Sequence, residues 1–304
     1  MNKIKEGRSL CLFLFLFLII GSGLGICQQQ TQPPPLTIQN IKGNIYFVKG
    51  GSGANTGFYI SEKEVLVIDA KMMADSTRQI VEEIKKLSPN PITLAVLTHS
   101  DGDHVNGLNG LPAGMKIYAH PQTRKDMEEA FKDPKMEALR PYIPNELCPQ
   151  SGSKSSALTI KLGKEVIPLY HFGAAHTSGD VIVFFPTEKV AFVGDLVFIG
   201  RDPLIHRQKG GTSLGLVENL KSLLALDADQ YLPGHGDIVS KNDIKTLMAG
   251  IEEKQAKIRD MIKEGKSLDE IKKAFGIADP IATSGARRFM SLVEVIYLDL
   301  TEKK

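Results

Sequence analysis

The chain has 304 residues, of which 37 are Lys or Arg and 35 are Asp or Glu, so its formal net charge at pH 7 is +2. This near-balance excludes the strongly basic character on which nucleic-acid binding relies, and we predict no nucleic-acid partner. Hydrophobic residues make up 42% of the chain, which suits the core of an ordinary globular domain of this length.

The first 26 residues have the pattern of a secretory signal peptide. Three basic residues precede the apolar stretch 10–20, and small residues follow at 21–25. This stretch is too short to span a bilayer as a helix, whereas a basic flank and small residues after the apolar run are typical of an export signal. We therefore predict an exported protein, periplasmic or secreted. Removal of the leader would take away three basic residues and one acidic residue, and the net charge would become 0.

A lipid anchor at Cys27 is a second prediction for this end of the chain. Leu24-Gly25-Ile26-Cys27 resembles a bacterial lipobox, although a small residue is expected where Ile26 stands. Membrane attachment through a lipidated Cys27 and release without a lipid are both left open. Residues 27–37 are polar and Pro-rich and predict a tether, and residues 38–304 predict a single domain that ends in helices.

Alternating short strands and helices are predicted along this domain. Apolar, β-branched runs at 45–48, 58–60 and 65–68 indicate paired strands, and the spacing of Ile80, Val81, Ile84 and Leu87 indicates a helix. A further strand over 92–98 ends in a cluster of metal-ligand side chains. His99 and Asp101 are two residues apart, so on an extended backbone they point to the same side. Asp103 and His104 follow a glycine and turn toward a second ion.

Three more ligand side chains each follow an apolar run. His176 comes after 166–170, Asp195 after 190–194 and His235 after 230–234. Imidazole and carboxylate groups are ligands that suit zinc, iron or manganese. Four strand ends are therefore predicted to deliver seven ligands to one edge of the fold.

The remaining segments carry weaker signals. His120 and His171 favour packing roles, and residues 132–157, which are rich in Pro, Ser and charge, predict an insertion near the cleft or a mobile cover. The carboxyl end predicts helices with a capping box at Ser267 and Glu270. Its last apolar segment, which includes Leu292, Val293, Val295, Ile296 and Leu298, is expected to pack on the core.

The ligand pattern resembles the metallo-β-lactamase superfamily, whose motif His-x-His-x-Asp-His is followed by a lone His, a bridging Asp or Cys, and a final His. The resemblance covers residues 38 to 240 and implies an α+β fold, a four-layer αββα sandwich with two sheets between helices. It further implies two divalent metal ions, with zinc as the leading candidate and iron or manganese as alternatives. Carried over, the first ion takes His99, Asp101 and His176, the second takes Asp103, His104 and His235, and Asp195 bridges both.

The same resemblance implies roles around these ligands. Thr177, Gly179 and Asp180 match the positions that follow the third ligand and are expected to orient it. His206, with Arg201 and Asp202, lies on the loop after Asp195, which in this fold borders the substrate cleft.

Asp101 departs from the pattern, since a second His is usual at this position. Three carboxylates against two divalent ions leave a charge of +1, and a bridging hydroxide brings the site to zero. The third carboxylate therefore predicts a weaker Lewis acid and a shift in preference toward iron or manganese. Flavodiiron proteins of the same superfamily carry a Glu here, but they also need a flavin domain, for which this chain has no motif.

The resemblance implies hydrolysis by a metal-bound hydroxide, which Asp103 orients and whose proton it carries. No serine or cysteine nucleophile is needed, and Cys148 lacks a motif for one. An Asp at 195 is similar to glyoxalase II and lactonases, whereas β-lactamases more often use Cys or His there. We predict an exported hydrolase of a small ester, thioester or lactone. Two alternatives are a β-lactamase and a non-hydrolytic iron-binding redox or accessory protein, for which Asp101 would mark a changed site.

Overall fold

The structure is a computed structural model, and it describes residues 33–149, 156–277 and 289–302. The predicted signal peptide, Cys27 and the first part of the predicted tether lie outside these residues. Thr37, the last residue of that tether, already belongs to the first strand. Across the described ranges, no helix combines the length and apolar character that a membrane span requires.

Seven strands form the first sheet, in the order β1-β2-β3-β4-β5-β6-β7. Strands β1 to β4 pair antiparallel, and β4 to β7 pair parallel. The parallel half places the carboxyl ends of β4 and β5 at one edge, where the polar cluster begins. The strands are β1 (Thr37–Lys42), β2 (Ile45–Lys49), β3 (Thr56–Ile60), β4 (Val65–Ile68), β5 (Ile92–Val96), β6 (Lys116–Ala119) and β7 (Glu146–Leu147).

The second sheet has five strands, in the order β12-β11-β10-β9-β8. Only β11 and β12 run parallel to each other, and the other neighbours are antiparallel. These strands are β8 (Leu158–Leu162), β9 (Glu165–Tyr170), β10 (Ile182–Phe185), β11 (Val190–Gly194) and β12 (Gln230–Pro233).

Helices cover the outer faces of both sheets. Three lie among the strands of the first sheet: α1 (Ala74–Leu87), α2 (Gly102–Val105) and α3 (Pro121–Ala130). Helix α4 (Ser213–Ala225) lies between β11 and β12, and α5 (Lys241–Lys263), α6 (Leu268–Ala274) and α7 (Leu292–Thr301) follow β12. The predicted capping box of Ser267 and Glu270 is present at the start of α6.

Three apolar cores separate four layers. One core lies between α1 and the first sheet and includes Ile80 and Val67. The middle core joins the two sheets, where Phe47 meets Phe192 with ring centroids 6.4 Å apart. The third core joins the second sheet to α4, α5 and α7, and it contains Leu292, Val293, Val295 and Ile296 of the last helix. The predicted α+β fold, an αββα sandwich, is confirmed.

The predicted cover over residues 132–157 is wrong for the part that the structure describes. Residues 134–142 form a 3-10 helix, and Leu139 and Tyr142 are buried in the core of the first sheet. Cys148 is buried as well, and burial raises the pKa of its thiol to about 12. Burial of these apolar side chains, rather than the surrounding Pro and charge, decides where the segment lies.

Candidate metal centre

The seven predicted ligands meet at one edge of the sandwich. His99 follows β5, His176 lies in the loop after β9, Asp195 follows β11 and His235 follows β12. Asp101 is the residue before α2, and Asp103 and His104 lie within α2. The carboxyl ends of four strands therefore supply this cluster, as the sequence pattern predicts.

The first group consists of His99, Asp101 and His176. Oδ2 of Asp101 lies 3.6 Å from Nε2 of His99 and 3.2 Å from Nε2 of His176. The two imidazoles are almost wholly buried, and their rings meet edge to face at 4.7 Å. These spacings match those of ligand atoms that share one ion.

The second group consists of Asp103, His104 and His235. Oδ2 of Asp103 lies 3.0 Å from Nε2 of His235 and 4.0 Å from Nε2 of His104. Asp195 lies between the groups, with Oδ1 at 3.3 Å from Nε2 of His104 and Oδ2 at 3.9 Å from Nε2 of His176. Its two oxygens therefore reach both groups.

The Nδ1 atoms of three imidazoles are already engaged. Nδ1 of His104 bonds the Asp69 carboxylate at 2.8 Å, and Nδ1 of His176 bonds the carbonyl of Leu204 at 2.7 Å. Nδ1 of His99 lies 3.0 Å from the Thr98 hydroxyl, which donates its own hydrogen to Asp69. Each Nδ1 therefore carries the proton, and each Nε2 keeps a lone pair directed into the cluster.

This donor set fits divalent cations. Nε2 of His99, Nε2 of His104 and Oδ1 of Asp195 are buried, and none has a hydrogen-bond partner. Buried polar atoms are rarely left unpaired, and lone pairs that face carboxylates repel one another unless a cation lies between them. The chemistry of the cluster therefore implies divalent metal ions, as predicted.

Without metal, the cluster holds protons instead. Burial alone would lower the pKa of His176, but its hydrogen bond to Asp101 and the charge of Asp195 raise it to about 9. Hydrogen bonds to Asp103 and Asp195 raise the pKa of His235 to about 9. Burial would raise the pKa of the Asp103 carboxyl, but its hydrogen bond to His235 and the charge of His104 hold that pKa below its usual range.

Asp69 is a functional residue that the sequence reasoning missed. It follows β4 with φ of +61°, a conformation that non-glycine residues rarely adopt, and its carboxylate accepts hydrogen bonds from the Thr98 backbone and hydroxyl. Together with its bond to His104, these contacts orient imidazoles of both groups. The sequence pattern that predicts the ligands could also have identified Asp69, because it is an acidic residue directly after an apolar run.

His206 and Lys209 were also missed as partners of Asp101. Nε2 of His206 lies 2.8 Å from Oδ2 of Asp101, and Nζ of Lys209 lies 2.7 Å from Oδ1. Both residues lie on the loop after Asp195. The sequence placed His206 on the border of the cleft, but only the folded loop shows that it contacts a ligand.

Gly234 shows how closely the strand ends approach each other. A Cβ at this position would collide with the Asp195 carboxylate and the ring of His104. Any larger residue here would therefore displace side chains of the cluster.

A cleft of about 420 Å³ opens over the cluster. Asp103 and His235 line this cleft together with Met72, Phe289 and Arg201. The Arg201 guanidinium lies 4.4 Å from the centroid of the Phe198 ring. Asp202, predicted beside Arg201, instead forms an ion pair with Lys254.

The loop between Asp195 and α4 is attached to the last helix. Arg207 forms ion pairs with Asp299 of α7 and with Glu302, the residue that follows this helix. The Asp299 carboxylate also accepts hydrogen bonds from the backbone and hydroxyl of Ser213 at the start of α4, both at 2.7 Å. The carboxyl-terminal helix thus fixes the loop that carries His206 and Lys209.

Other predicted supporting residues have local roles. Asp180 accepts hydrogen bonds from the backbone and hydroxyl of Thr177 and closes the turn after His176, whose own Nδ1 bonds elsewhere. Gly179 packs against Thr123, and a Cβ there would collide with it. His120 and His171 stack on each other at 3.9 Å, as expected for packing residues.

Residues 50–235, more than half of the chain, match a family model described as the metallo-beta-lactamase superfamily. A relative named 2,4-dinitroanisole O-demethylase subunit alpha, from Nocardioides sp. (strain JS1661), is 24% identical over 204 residues, which are 66% of this chain and 58% of that protein. Metallo-beta-lactamase type 2 of Elizabethkingia meningoseptica is 27% identical over 177 residues, 56% of this chain and 65% of that protein. The chain thus spans less than two thirds of either relative.

Solved structures share the fold. The crystal structure of DIM-1 metallo-beta-lactamase has a TM-score of 0.59 at 20% identity and covers 73% of this chain and 99% of its own. A metallo-beta-lactamase from Erythrobacter litoralis has a TM-score of 0.58 at 18% identity, with coverage of 72% and 96%. Identities this low show the shared sandwich and no more.

Proposed function

Because the chain belongs to the metallo-β-lactamase superfamily, we propose that it is a metal-dependent hydrolase that cleaves a small ester, thioester or lactone. The first group would hold one divalent ion and the second group the other, with Asp195 available to both. The observation that carries this proposal is the convergence of unpaired Nε2 atoms and the Asp195 carboxylate in one buried cluster. Zinc is the leading candidate, with iron or manganese as alternatives.

Two metal ions, when bound, supply a hydroxide nucleophile near neutral pH and polarise the carbonyl under attack. Asp103 is the residue that we place beside the attacking water. Its carboxylate lines the cleft, and its lowered pKa keeps it ionised at neutral pH. It can therefore accept a hydrogen bond from the water and orient it, whereas its lowered pKa makes it a weak acceptor of the water's proton.

The cleft favours a substrate with an apolar part and an anionic part. Met72 and Phe289 are large apolar residues, and their side chains are 40% and 50% exposed at its walls. Arg201 supplies a guanidinium, a group suited to bind a carboxylate by two hydrogen bonds. Lys209 is the other cation at the cleft, but its ammonium is already bonded to Asp101 and Ser100.

Hydrolysis of a β-lactam is a second candidate, supported by the name of the relative from Elizabethkingia meningoseptica. A β-lactam also combines an amide carbonyl with a nearby carboxylate. A non-hydrolytic iron-binding redox or accessory protein is the third. Metal content and turnover together separate the three.

The decisive experiment combines metal analysis with a substrate panel. We expect protein purified without added metal to contain two equivalents of a divalent metal and to hydrolyse a thioester or a lactone, with activity lost to a chelator and regained on reloading. A chromogenic β-lactam tests the second candidate. Tightly bound iron with no hydrolysis would contradict the proposal and favour the redox alternative.

Matched variants connect activity to the site. Asp103→Asn removes a carboxylate from the cleft and should lower kcat on the order of 10³-fold, since several kcal/mol of transition-state stabilisation are lost. Glu253→Gln removes an exposed carboxylate on α5 and should leave kcat unchanged. Equal activity of the two variants would contradict the role of Asp103.

We also propose that the protein is exported through its amino-terminal leader. The mature protein would then be either anchored by a lipid on Cys27 or released without a lipid. Mass spectrometry of the mature protein from a bacterial host tests this. Loss of about the first 26 residues supports export, and an added diacylglycerol mass on Cys27 supports the anchored form. An intact amino terminus in the cytoplasmic fraction would overturn the proposal.

A further inference from the structure

Asp101 is the ligand candidate with the most unusual surroundings. Its Oδ2 faces three imidazoles, those of His99, His176 and His206, and its Oδ1 faces an ammonium. The contacts with Nε2 of His206 and with the Lys209 ammonium, at 2.8 and 2.7 Å, fix the orientation of this carboxylate.

Lys209 is positioned for this contact and has no freedom left for another. Its Nζ donates to Oδ1 of Asp101 at 2.7 Å, and to the carbonyl and hydroxyl of Ser100 at 3.0 Å each. Three donors meet three acceptors, so the ammonium is satisfied. The Lys209 backbone carbonyl is held by Ser178, and the neighbouring Arg207 is held by α7.

His206 differs from the other imidazoles of the cluster in the atom that carries its proton. Its Nδ1 accepts a hydrogen bond from Nε2 of Gln208 at 2.8 Å, so its Nε2 carries the hydrogen and donates to Asp101. In His99, His104 and His176 the Nδ1 atoms bond to groups outside the cluster, so their Nε2 atoms are the ones that can bind a metal ion. His206 is therefore a hydrogen-bond donor to a ligand rather than a ligand.

We infer that His206 is a positioning residue for Asp101, and that the Lys209 ammonium offsets the charge of this third carboxylate. A histidine at position 101 would be neutral, whereas Asp101 adds one negative charge to the ligand set. Lys209 returns one positive charge at 2.7 Å, so the pair has the net charge of a neutral ligand. The inference rests on the proposed function, and it removes the sequence-based expectation of a weakened Lewis acid.

A charge-exchange cycle tests the inference. The variants are Asp101→His, Lys209→Met and the double variant, measured for metal equivalents, for metal affinity by chelator competition, and for kcat. We expect Asp101→His to weaken metal binding about 10- to 100-fold, because the ammonium then faces the ions without its partner. Lys209→Met should keep or increase metal affinity while kcat falls, since a cation beside the metal is lost.

The double variant gives the discriminating result. It restores net charge, so its metal affinity should return to within a few-fold of the wild-type value. The inference would be overturned if the change in metal affinity of the double variant were the product of the changes in the two single variants. It would also be overturned if Lys209→Met bound metal more weakly, since Lys209 would then have only a structural role. Lys245→Met, an exposed lysine on α5, is the matched control and should change nothing.

Two further measurements complete the test. His206→Phe should retain two metal equivalents with reduced affinity, whereas loss of one equivalent would show that His206 is a ligand and overturn its assignment. Lys209→Arg keeps the charge and should keep kcat within a few-fold. A wild-type protein that binds no metal overturns the proposed function as well, whereas normal metal binding without charge coupling overturns only this inference.

Discussion

The two ligand groups differ in their access to solvent. The imidazoles of His99 and His176 in the first group are 1% and 0% exposed, whereas the side chains of Asp103 and His235 in the second group are 25% and 33% exposed. Asp101, Asp103 and His235 line the cleft, whereas His99, His104 and His176 lie behind them. From this comparison, and on the proposed function, we expect the first group to retain its ion more tightly and the second group to meet substrate.

Loss of Asp195 should have the largest effect, because it should weaken both ligand groups and not only one of them. Its two oxygens reach both groups, so Asp195→Ala should lower the affinity of both metal sites and reduce kcat/KM on the order of 10³-fold. Atomic emission analysis and a hydrolysis assay measure the two effects. Retention of one full equivalent would show that Asp195 serves a single group.

Metal removal should separate the groups. Because the second group is partly open to solvent, we expect a chelator to remove its ion first, and stoichiometric titration should show two phases. His235→Ala should abolish the fast phase, whereas His176→Ala should abolish the slow one. Swapped assignments would contradict the comparison drawn from burial.

Asp69 offers a smaller and more selective change. Asp69→Asn keeps a residue tolerated at positive φ but removes the negative charge that holds His104. We expect metal affinity to fall about 10- to 100-fold, with the larger loss in the second group. Asp229→Asn, at an exposed carboxylate before β12, is the control. Equal losses at both sites would indicate that Thr98 and His99 depend on Asp69 as much as His104 does.

The smallest effect is a pH dependence of the metal-free protein. His176 and His235 have a folded pKa of about 9, above the unfolded value of about 6.5. Their contribution to stability is complete below pH 6.5 and is lost as the pH rises toward 9. Burial lowers the pKa of Lys71 to about 8, which acts in the opposite direction above that pH.

Denaturant unfolding between pH 6.5 and 8 measures this dependence. The free energy of unfolding of the metal-free protein should fall across this range, while that of the loaded protein should stay nearly constant, because metal keeps its imidazoles unprotonated. A rise in the metal-free protein would contradict the assigned shifts.

Much of the fold and the cluster was predictable from short-range patterns. Apolar runs that end in His or Asp placed the seven ligand candidates at strand ends, and the structure brings all seven together. The superfamily and the αββα sandwich are confirmed. These features depend on local sequence, because a strand's direction determines where its last residue lies.

Contacts between distant segments were not predictable in the same way. Lys209 and Asp101 are 108 residues apart in the chain, and nothing near Lys209 indicates a partner. Residues 134–142 were predicted wrongly for a related reason. Their Pro and charged residues suggested a surface cover, although Leu139 and Tyr142 are buried. Tertiary burial determined both outcomes.

The ion pair of Arg207 with Asp299 has a consequence for how the molecule opens. It joins the cleft loop to α7, which lies beyond the family-matched residues 50–235. Local unfolding of the last helix would release the loop and its hold on Asp101. The slowly exchanging amides of α7 and of residues 204–212 should therefore show the same free energy of opening. The last helix, which is distant from the metal ligands in sequence, then determines how long the cluster keeps its closed arrangement.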